Sequence, residues 1–146
     1  MREVVFALEF RGRARVDPDG TRRARTDAPS QAWRTVLDAD GVHADRRPLE
    51  GEAAVLESRV ERFGDGTFVE DGTITYGRAG HVAFETVGRG TVGPSPIAGR
   101  TVGAVIWTVT DGEGAFRGAR GLITSSFTAS ADGEVVDDHV ARLYLP

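Results

Sequence analysis

The chain has 146 residues, a net charge of −4 and no cysteine, and all 18 of its basic residues are arginines. This length fits one domain with a single core, so residues 1–146 are treated as one unit. The negative charge argues against a nucleic-acid partner, and the lack of cysteine and lysine excludes disulfides, thiolate chemistry and lysine Schiff bases. The apolar runs are too short to span a bilayer, so the sequence predicts a soluble, cytoplasmic protein without a membrane partner.

Alternating apolar residues predict seven strands, and Asp-Gly, which favours tight hairpin turns, occurs six times along the chain. The segment 27–41 fits a short helix or an edge strand equally well, so an eighth strand is placed within 32–47. The segment 90–100 contains two prolines and three glycines, which predicts a loop and a candidate lid over one end of the fold. The seven strands are predicted at residues 3–16, 52–62, 67–76, 81–90, 101–110, 121–130 and 134–145.

An antiparallel meander of seven or eight strands forms either a sandwich or a closed barrel. Closure leaves no exposed sheet edge, and this favours the barrel. Outside 27–41, the sequence has no stretch with the pattern of a long amphipathic helix. It therefore predicts an all-β protein that forms an eight-stranded antiparallel up-and-down barrel, calycin-like, with at most one short helix.

Alternate side chains of a strand share a face, and the bulkier apolar set is predicted to point into the barrel. Strand 101–110 is apolar on both faces, which predicts a cover over its outer face, either a helix or a second subunit. A second subunit would make the protein a homodimer or a larger homo-oligomer. For strand 134–145, periodicity does not decide between the set with Arg142 and Tyr144 and the set with His139. The clearest inner sets are Val4, Phe6, Leu8 and Phe10; Ala54, Leu56, Ser58 and Val60; and Phe68, Glu70, Gly72, Ile74 and Tyr76.

The glycine-rich stretch DGEGAFRGARGL covers residues 111–122. A dinucleotide-binding fingerprint needs G-x-G-x-x-G at the start of a helix, whereas these glycines have another spacing and a strand-like segment follows them. One arginine-rich copy in an acidic chain is weak evidence for nucleic-acid binding. The stretch instead predicts a barrel corner, where glycines allow sharp bends and Phe116 closes one end.

Within this stretch, the pattern G-x-G-x-F-x-G-A-x-G follows an apolar strand and resembles the corresponding region of the allene oxide cyclase and dirigent-protein superfamily. The resemblance covers roughly the last 80 residues in general pattern and about ten in the motif itself. It implies an eight-stranded antiparallel barrel, commonly trimeric, that works without a cofactor. Such a barrel takes an apolar ligand into its mouth and directs a cyclisation or coupling. The first half of the chain shows no motif that matches the family's catalytic acids, so none is assigned from it.

Polar side chains on the predicted inner faces are the candidate site residues. A carboxyl group in an apolar barrel has a raised pKa, so Glu70 is the candidate general acid or base. Tyr76 and Tyr144 are predicted to donate to a substrate carbonyl, and Arg142 to stabilise an enolate or a carboxylate. Alternatively, His139 lies inside in place of Arg142 and Tyr144, or Glu70 pairs with Arg142 in a buried bridge or lies outside at a bulge. The predicted ligand-binding residues are Ser58, Phe84, Thr86, Trp107, Ser125 and Phe127.

Metal and hydrolase chemistry have little support in the sequence. The histidines His43, His81 and His139 show no paired metal-ligand spacing, so neither a metal nor another cofactor is predicted. A serine hydrolase built on Ser125, Asp138 and His139 would lack the usual G-x-S-x-G turn.

Two functional hypotheses remain open. The first is a cofactor-free isomerase or cyclase acting on a small, largely apolar substrate in secondary metabolism. The second is a non-catalytic barrel that binds a hydrophobic ligand or serves as an oligomeric scaffold. An apolar cavity without converging polar groups would favour the second hypothesis.

Overall fold

The computed structural model describes all 146 residues and contains eleven strands. Its one helical element is the short 3-10 turn Gly77–Ala79, and no helix is long and apolar enough to cross a bilayer. The strands are β1 Arg2–Val16, β2 Arg22–Ala28, β3 Gln31–Asp38, β4 Gly41–Pro48, β5 Ala54–Arg62, β6 Thr67–Tyr76, β7 Gly80–Thr86, β8 Gly90–Pro94, β9 Arg100–Gly114, β10 Arg120–Ser130 and β11 Glu134–Leu145.

Eight of the strands form a closed antiparallel barrel in the order β1-β2-β5-β6-β7-β9-β10-β11. The barrel closes where β11 pairs with β1, from Arg2 opposite Leu145 to Arg13 opposite Glu134. Each barrel strand pairs with the barrel strands that precede and follow it in the sequence, so the topology is up-and-down. The predicted all-β barrel with at most one short helix is therefore confirmed.

The eighth barrel strand is β2, which sequence analysis missed. Its outward residues include Arg23 and Arg25, and its inward residues are the small side chains Ala24, Thr26 and Ala28. Small inward residues give no bulky apolar alternation, so the pattern that marks the other strands is absent here.

The segment 32–47, predicted to hold the eighth strand, forms most of a β3–β4 hairpin that pairs with no barrel strand. The side-chain amide of Gln31 fixes the base of the hairpin, since it accepts from Glu9 N and donates to Glu9 O, each at 2.8 Å. Arg46 forms ion pairs with both Glu9 and Asp138. The hairpin is thus fastened to the outer surface of β1 and β11.

The prediction of a loop and lid over 90–100 was wrong in its first half. Residues 90–94 form β8, which pairs with both β6 and β9. Val92 N donates to Gly66 O at 2.8 Å. A segment held on two sides in a sheet does not act as a lid.

Four of the six Asp-Gly pairs lie at turns between strands, as predicted, but Asp71-Gly72 and Asp111-Gly112 lie inside β6 and β9. At Gly72 the reason is close packing, because a Cβ atom there would stand 2.2 Å from the backbone oxygen of Glu57. This glycine allows two strands to approach each other closely. From sequence alone, such a glycine cannot be distinguished from one in a turn.

The glycine-rich stretch forms the predicted barrel corner. Gly114 ends β9 with φ +65°, and a Cβ atom at Gly112 would stand 2.1 Å from the backbone oxygen of Phe116. The Phe116 ring packs on Tyr76, with ring centroids 5.1 Å apart. The bend is confirmed, and Phe116 lies at this end of the barrel.

Large side chains fill the middle of the barrel. Trp107 stacks on Phe84, with ring centroids 4.3 Å apart, and both are almost completely buried. The inner sets predicted for β1, β5 and β6 do point inward. This packed middle separates the two ends of the barrel. The largest fully buried side chains are Trp107, Phe10, Phe84, Leu56, Ile74, Ile123, Leu143 and Val82.

Candidate functional site

A cavity of about 70 Å³ lies inside one end of the barrel. Its walls are mostly apolar and include Phe68 and Phe127, but two acidic side chains, Glu70 and Asp137, also face it. A cavity needs about 10–15 Å³ to hold one water, so this one is large enough for a few water-sized groups. An apolar cavity with two converging carboxyl groups is the arrangement expected of a ligand site rather than of a plain core.

Glu70 lies on the inner face of β6, where its Oε2 accepts a hydrogen bond from the Ser58 hydroxyl at 2.6 Å. Burial in the apolar barrel raises the pKa of Glu70 from 4.5 to about 8, because the charged form loses its hydration. The hydrogen bond from Ser58 lowers this pKa, while the negative charges of Asp137 and Asp71 raise it further. At neutral pH, Glu70 is therefore a carboxylic acid with a proton to donate.

The backbone of Glu70 is held by Thr86. The Thr86 hydroxyl accepts from Glu70 N and donates to Glu70 O, each at 2.7 Å. These bonds continue the pairing of β6 and β7 one step beyond Asp71 and Glu85, the last residues that pair in the ladder. Thr86 thus positions the acid and does not line the cavity.

Asp137 lies on β11 and is 7% exposed. Its Oδ1 accepts from the Ser125 hydroxyl at 2.6 Å, and its Oδ2 lies 2.8 Å from His139 Nε2. The acid stands between the serine and the histidine, so His139 is not placed to take a proton from Ser125 as in a serine hydrolase. The His139 ring packs on Phe10 at 4.3 Å, and its buried Nδ1 has no hydrogen-bond partner in the protein.

The predicted inward placement of Arg142 and Tyr144 was wrong. β11 turns the alternate set inward, so Leu143 and Leu145 are buried and Arg142 lies outside, where it donates to Glu3 at 2.8 Å. Tyr144 is 37% exposed. The alternative set with His139 inside is the one observed, and the alternative bridge between Glu70 and Arg142 does not form.

Tyr76 is partly buried on the inner face of β6, but at the opposite end of the barrel from the cavity. It lies six steps along the strand from Glu70, a distance of about 20 Å. Burial raises the pKa of its hydroxyl, and its ring packs on Phe6 and Phe116 at centroid distances of 5.5 and 5.1 Å. Glu70, Tyr76 and Arg142 therefore do not form one site, although each was predicted to belong to it.

Apart from Thr86, which holds the backbone of Glu70, the predicted ligand-binding residues fall into three groups. Ser58 and Ser125 hold the two carboxyl groups, and Phe127 lines the cavity. Phe84 and Trp107 belong to the packed middle instead. Sequence analysis missed Asp137, which shares its face with the predicted alternative His139, and it also missed Arg22 and Arg62 at the mouth of the cavity.

The structure thus defines a closed eight-stranded antiparallel barrel with an acid-lined cavity at one end. No family model and no curated protein matches the sequence. Among solved structures, the chain is similar to the pterocarpan synthase dirigent protein GePTS1, at 13% identity and a TM-score of 0.33, with 99% of this chain and 92% of that chain covered. The barrel assignment rests on the strand order of the present chain.

Proposed function

We propose that the cavity of Glu70 and Asp137 is the site of a cofactor-free isomerase or cyclase that acts on a small, largely apolar substrate. The observation that carries the proposal is that two carboxyl groups face one apolar cavity, and that the first of them holds its proton up to a pKa of about 8. Two interacting carboxyl groups whose environments differ can divide the acid and base roles of a reaction.

The positions of the two carboxyl groups support a division of roles. Glu70, as a neutral acid, donates its proton to an oxygen atom of the substrate, such as that of a ketone or an epoxide. Asp137 accepts a proton from a neighbouring carbon. One proton is given and one is taken, so the chemistry needs neither a metal nor a redox cofactor. Ser58 and Ser125 keep the two carboxyl groups in place.

A proton-exchange assay tests this proposal without the natural substrate. Cyclopentanone is about the size of the cavity, and exchange of its α-protons in D₂O at pH 6–7 is followed by NMR. We expect the wild type to accelerate exchange, and Glu70→Gln and Asp137→Asn each to lower the rate by about 10²-fold or more, the usual contribution of acid–base catalysis. The matched control is Tyr76→Phe, at the other end of the barrel, which should keep the wild-type rate. Full activity in Glu70→Gln would contradict the assignment.

The exposed apolar surface of the barrel favours a second function, that of an oligomeric scaffold. Ile106 lies opposite Thr124, Thr124 opposite Val140, and Val140 opposite Ala7, so a row free of charged side chains crosses four neighbouring strands. We define the outer apolar face as this row and its exposed neighbours. Surfaces of this kind mark interaction sites, and we propose that a second copy of the chain covers it. Its large exposed members are Val5, Val102, Ile106, Leu122 and Val140, each between 41% and 49% exposed. Arg142 lies on the same face between Leu122 and Val5, where it is paired with Glu3.

The double variant Ile106→Glu/Leu122→Glu should be monomeric. Two charges at the centre of the outer apolar face would lose their hydration on association. We expect light scattering to give a mass of two or more times 15.6 kDa for the wild type, and the monomer mass of 15.6 kDa for the variant. Thr73→Glu/Thr75→Glu, on the outer face of β6, is the matched control and should behave as the wild type. A monomeric wild type would refute the scaffold.

A further inference from the structure

A second, wider space lies directly outside the cavity. It has a volume of about 660 Å³ and shares the lining residues Ala14, Arg22, Arg62 and Ala129 with the cavity, so the two are adjacent. Arg100 lines its opposite side, where its guanidinium donates to the Thr128 hydroxyl at 3.3 Å. We call the space around Arg22, Arg62 and Arg100 the arginine vestibule.

The three arginines of the vestibule have no acidic partner. Of the 18 arginines in the chain, eleven lie within 4.0 Å of a carboxylate, and three of the other seven are the ones gathered here. Most arginines of this acidic protein are compensated locally, so a cluster of uncompensated ones is a distinct feature of this end.

The remaining charges at the vestibule do not neutralise it. Arg15 also lines the vestibule, but its guanidinium forms an ion pair with Asp17 at 2.8 Å. Asp132 is the one acid in the lining, and it lies 3.7 Å from Arg13. Partial burial and the charge of Arg22 lower the pKa of Arg62, as expected when two like charges are held close together.

We propose that the arginine vestibule binds the phosphate group of a ligand whose apolar part enters the cavity. Guanidinium groups match the oxygens of a phosphate with paired hydrogen bonds, and three of them suit a head group that carries more than one negative charge. The mostly apolar walls of the cavity disfavour an anion deeper in the barrel, because it would lose its hydration there, so the charged head stays at the mouth. This inference rests on the proposed function, since it names the substrate class of the same site.

The orientation has a chemical consequence. With the phosphate at the vestibule, the far, apolar end of the ligand is the part that reaches Glu70 and Asp137. Binding energy from the remote charged group would then position a neutral reacting group that makes few polar contacts of its own. The phosphate contributes to binding and does not take part in the reaction.

Four probes with a short chain or none test the proposal by ¹⁵N NMR titration of the full protein: hexyl phosphate, hexanoate, hexan-1-ol and inorganic phosphate. We expect hexyl phosphate to bind about 10-fold or more tightly than hexan-1-ol, as charge-assisted hydrogen bonds to arginine predict. Hexanoate should lie between them. Inorganic phosphate should bind more weakly than hexyl phosphate, because it leaves the cavity empty of apolar groups. Equal binding of hexyl phosphate and any one of the other three would overturn the proposal.

The variant Arg22→Gln/Arg62→Gln should bind hexyl phosphate no better than hexan-1-ol, with hexan-1-ol binding unchanged. Arg100→Gln, which alters only the far side of the vestibule, should give a partial loss and serves as the test if the double variant does not fold. The matched control is Arg25→Gln/Arg59→Gln on the outer faces of β2 and β5, which should bind as the wild type does. An equal loss in this control would overturn the proposal.

The two proposals fail in different ways. If hexyl phosphate binds as expected but cyclopentanone exchange does not depend on Glu70, the phosphate site stands and the catalytic function falls. If exchange depends on Glu70 but hexyl phosphate binds no more tightly than hexan-1-ol, the catalytic function stands and the phosphate site falls.

Discussion

The wild type should lose much of its stability as the pH rises, and the variant Glu70→Gln should not. The pKa of Glu70 is 4.5 when the chain is unfolded and about 8 when burial desolvates it in the folded state. Between these values the folded protein holds one proton more than the unfolded chain, so the free energy of unfolding falls with rising pH. The contribution of this group is fully present below pH 4.5 and is lost as the pH passes 8. The slope is about 1.4 kcal/mol per pH unit, or about 5 kcal/mol over the whole range.

Urea denaturation at pH 5, 7 and 9 measures this effect. The variant Glu70→Gln carries no proton to lose at this position, so its stability should be nearly level where that of the wild type falls. Glu57→Gln, an exposed carboxyl on the outer face of the neighbouring strand β5, is the matched control and should follow the wild type. A slope in Glu70→Gln as steep as that of the wild type would show that Glu70 is ionised and solvated in the folded barrel.

Glu70 could be predicted from sequence because its strand has an unambiguous face. Phe68, Ile74 and Tyr76 share its parity, and bulky apolar residues mark the inner side of a strand wherever they outweigh the other set. The same rule identified the inner faces of β1 and β5. It failed for β2, whose inward residues are too small to give a signal, although that strand contributes Arg22 to the mouth of the cavity.

Asp137 could not be predicted from β11 alone, since both faces of that strand mix apolar and charged residues. Its orientation is set by its partner, because Phe10 of β1 lies opposite Asp137 and is fully buried. Residues opposite each other in a ladder share a face, so the clear pattern of β1 decides the ambiguous one of β11. That inference needs the register between two strands at opposite ends of the chain, and periodicity within one strand does not contain it.

Asp137→Ala should destabilise the protein by about 3–5 kcal/mol, because it leaves the buried Ser125 hydroxyl and His139 Nε2 without their partner. Asp137→Asn should lose less, since an amide still offers one oxygen to Ser125. Asp138→Ala is the matched control, one residue along on the outer face, where the acid meets Arg46 in a partly exposed ion pair. Such a pair contributes about 0–1 kcal/mol.

The double variant Asp137→Ala/His139→Leu measures how much of the loss in stability comes from the contact between Asp137 and His139. If the loss in Asp137→Ala comes mainly from the unpartnered histidine, adding His139→Leu should restore part of the stability, and the two changes will not be additive. Urea denaturation at pH 7 of the two single variants and the double variant gives the coupling. Additive losses, or an effect of Asp137→Ala no larger than that of Asp138→Ala, would mean that Asp137 and His139 do not depend on each other. In the second of these outcomes Asp137 adds little to stability, which is the behaviour expected of a buried acid retained for a ligand rather than for the fold.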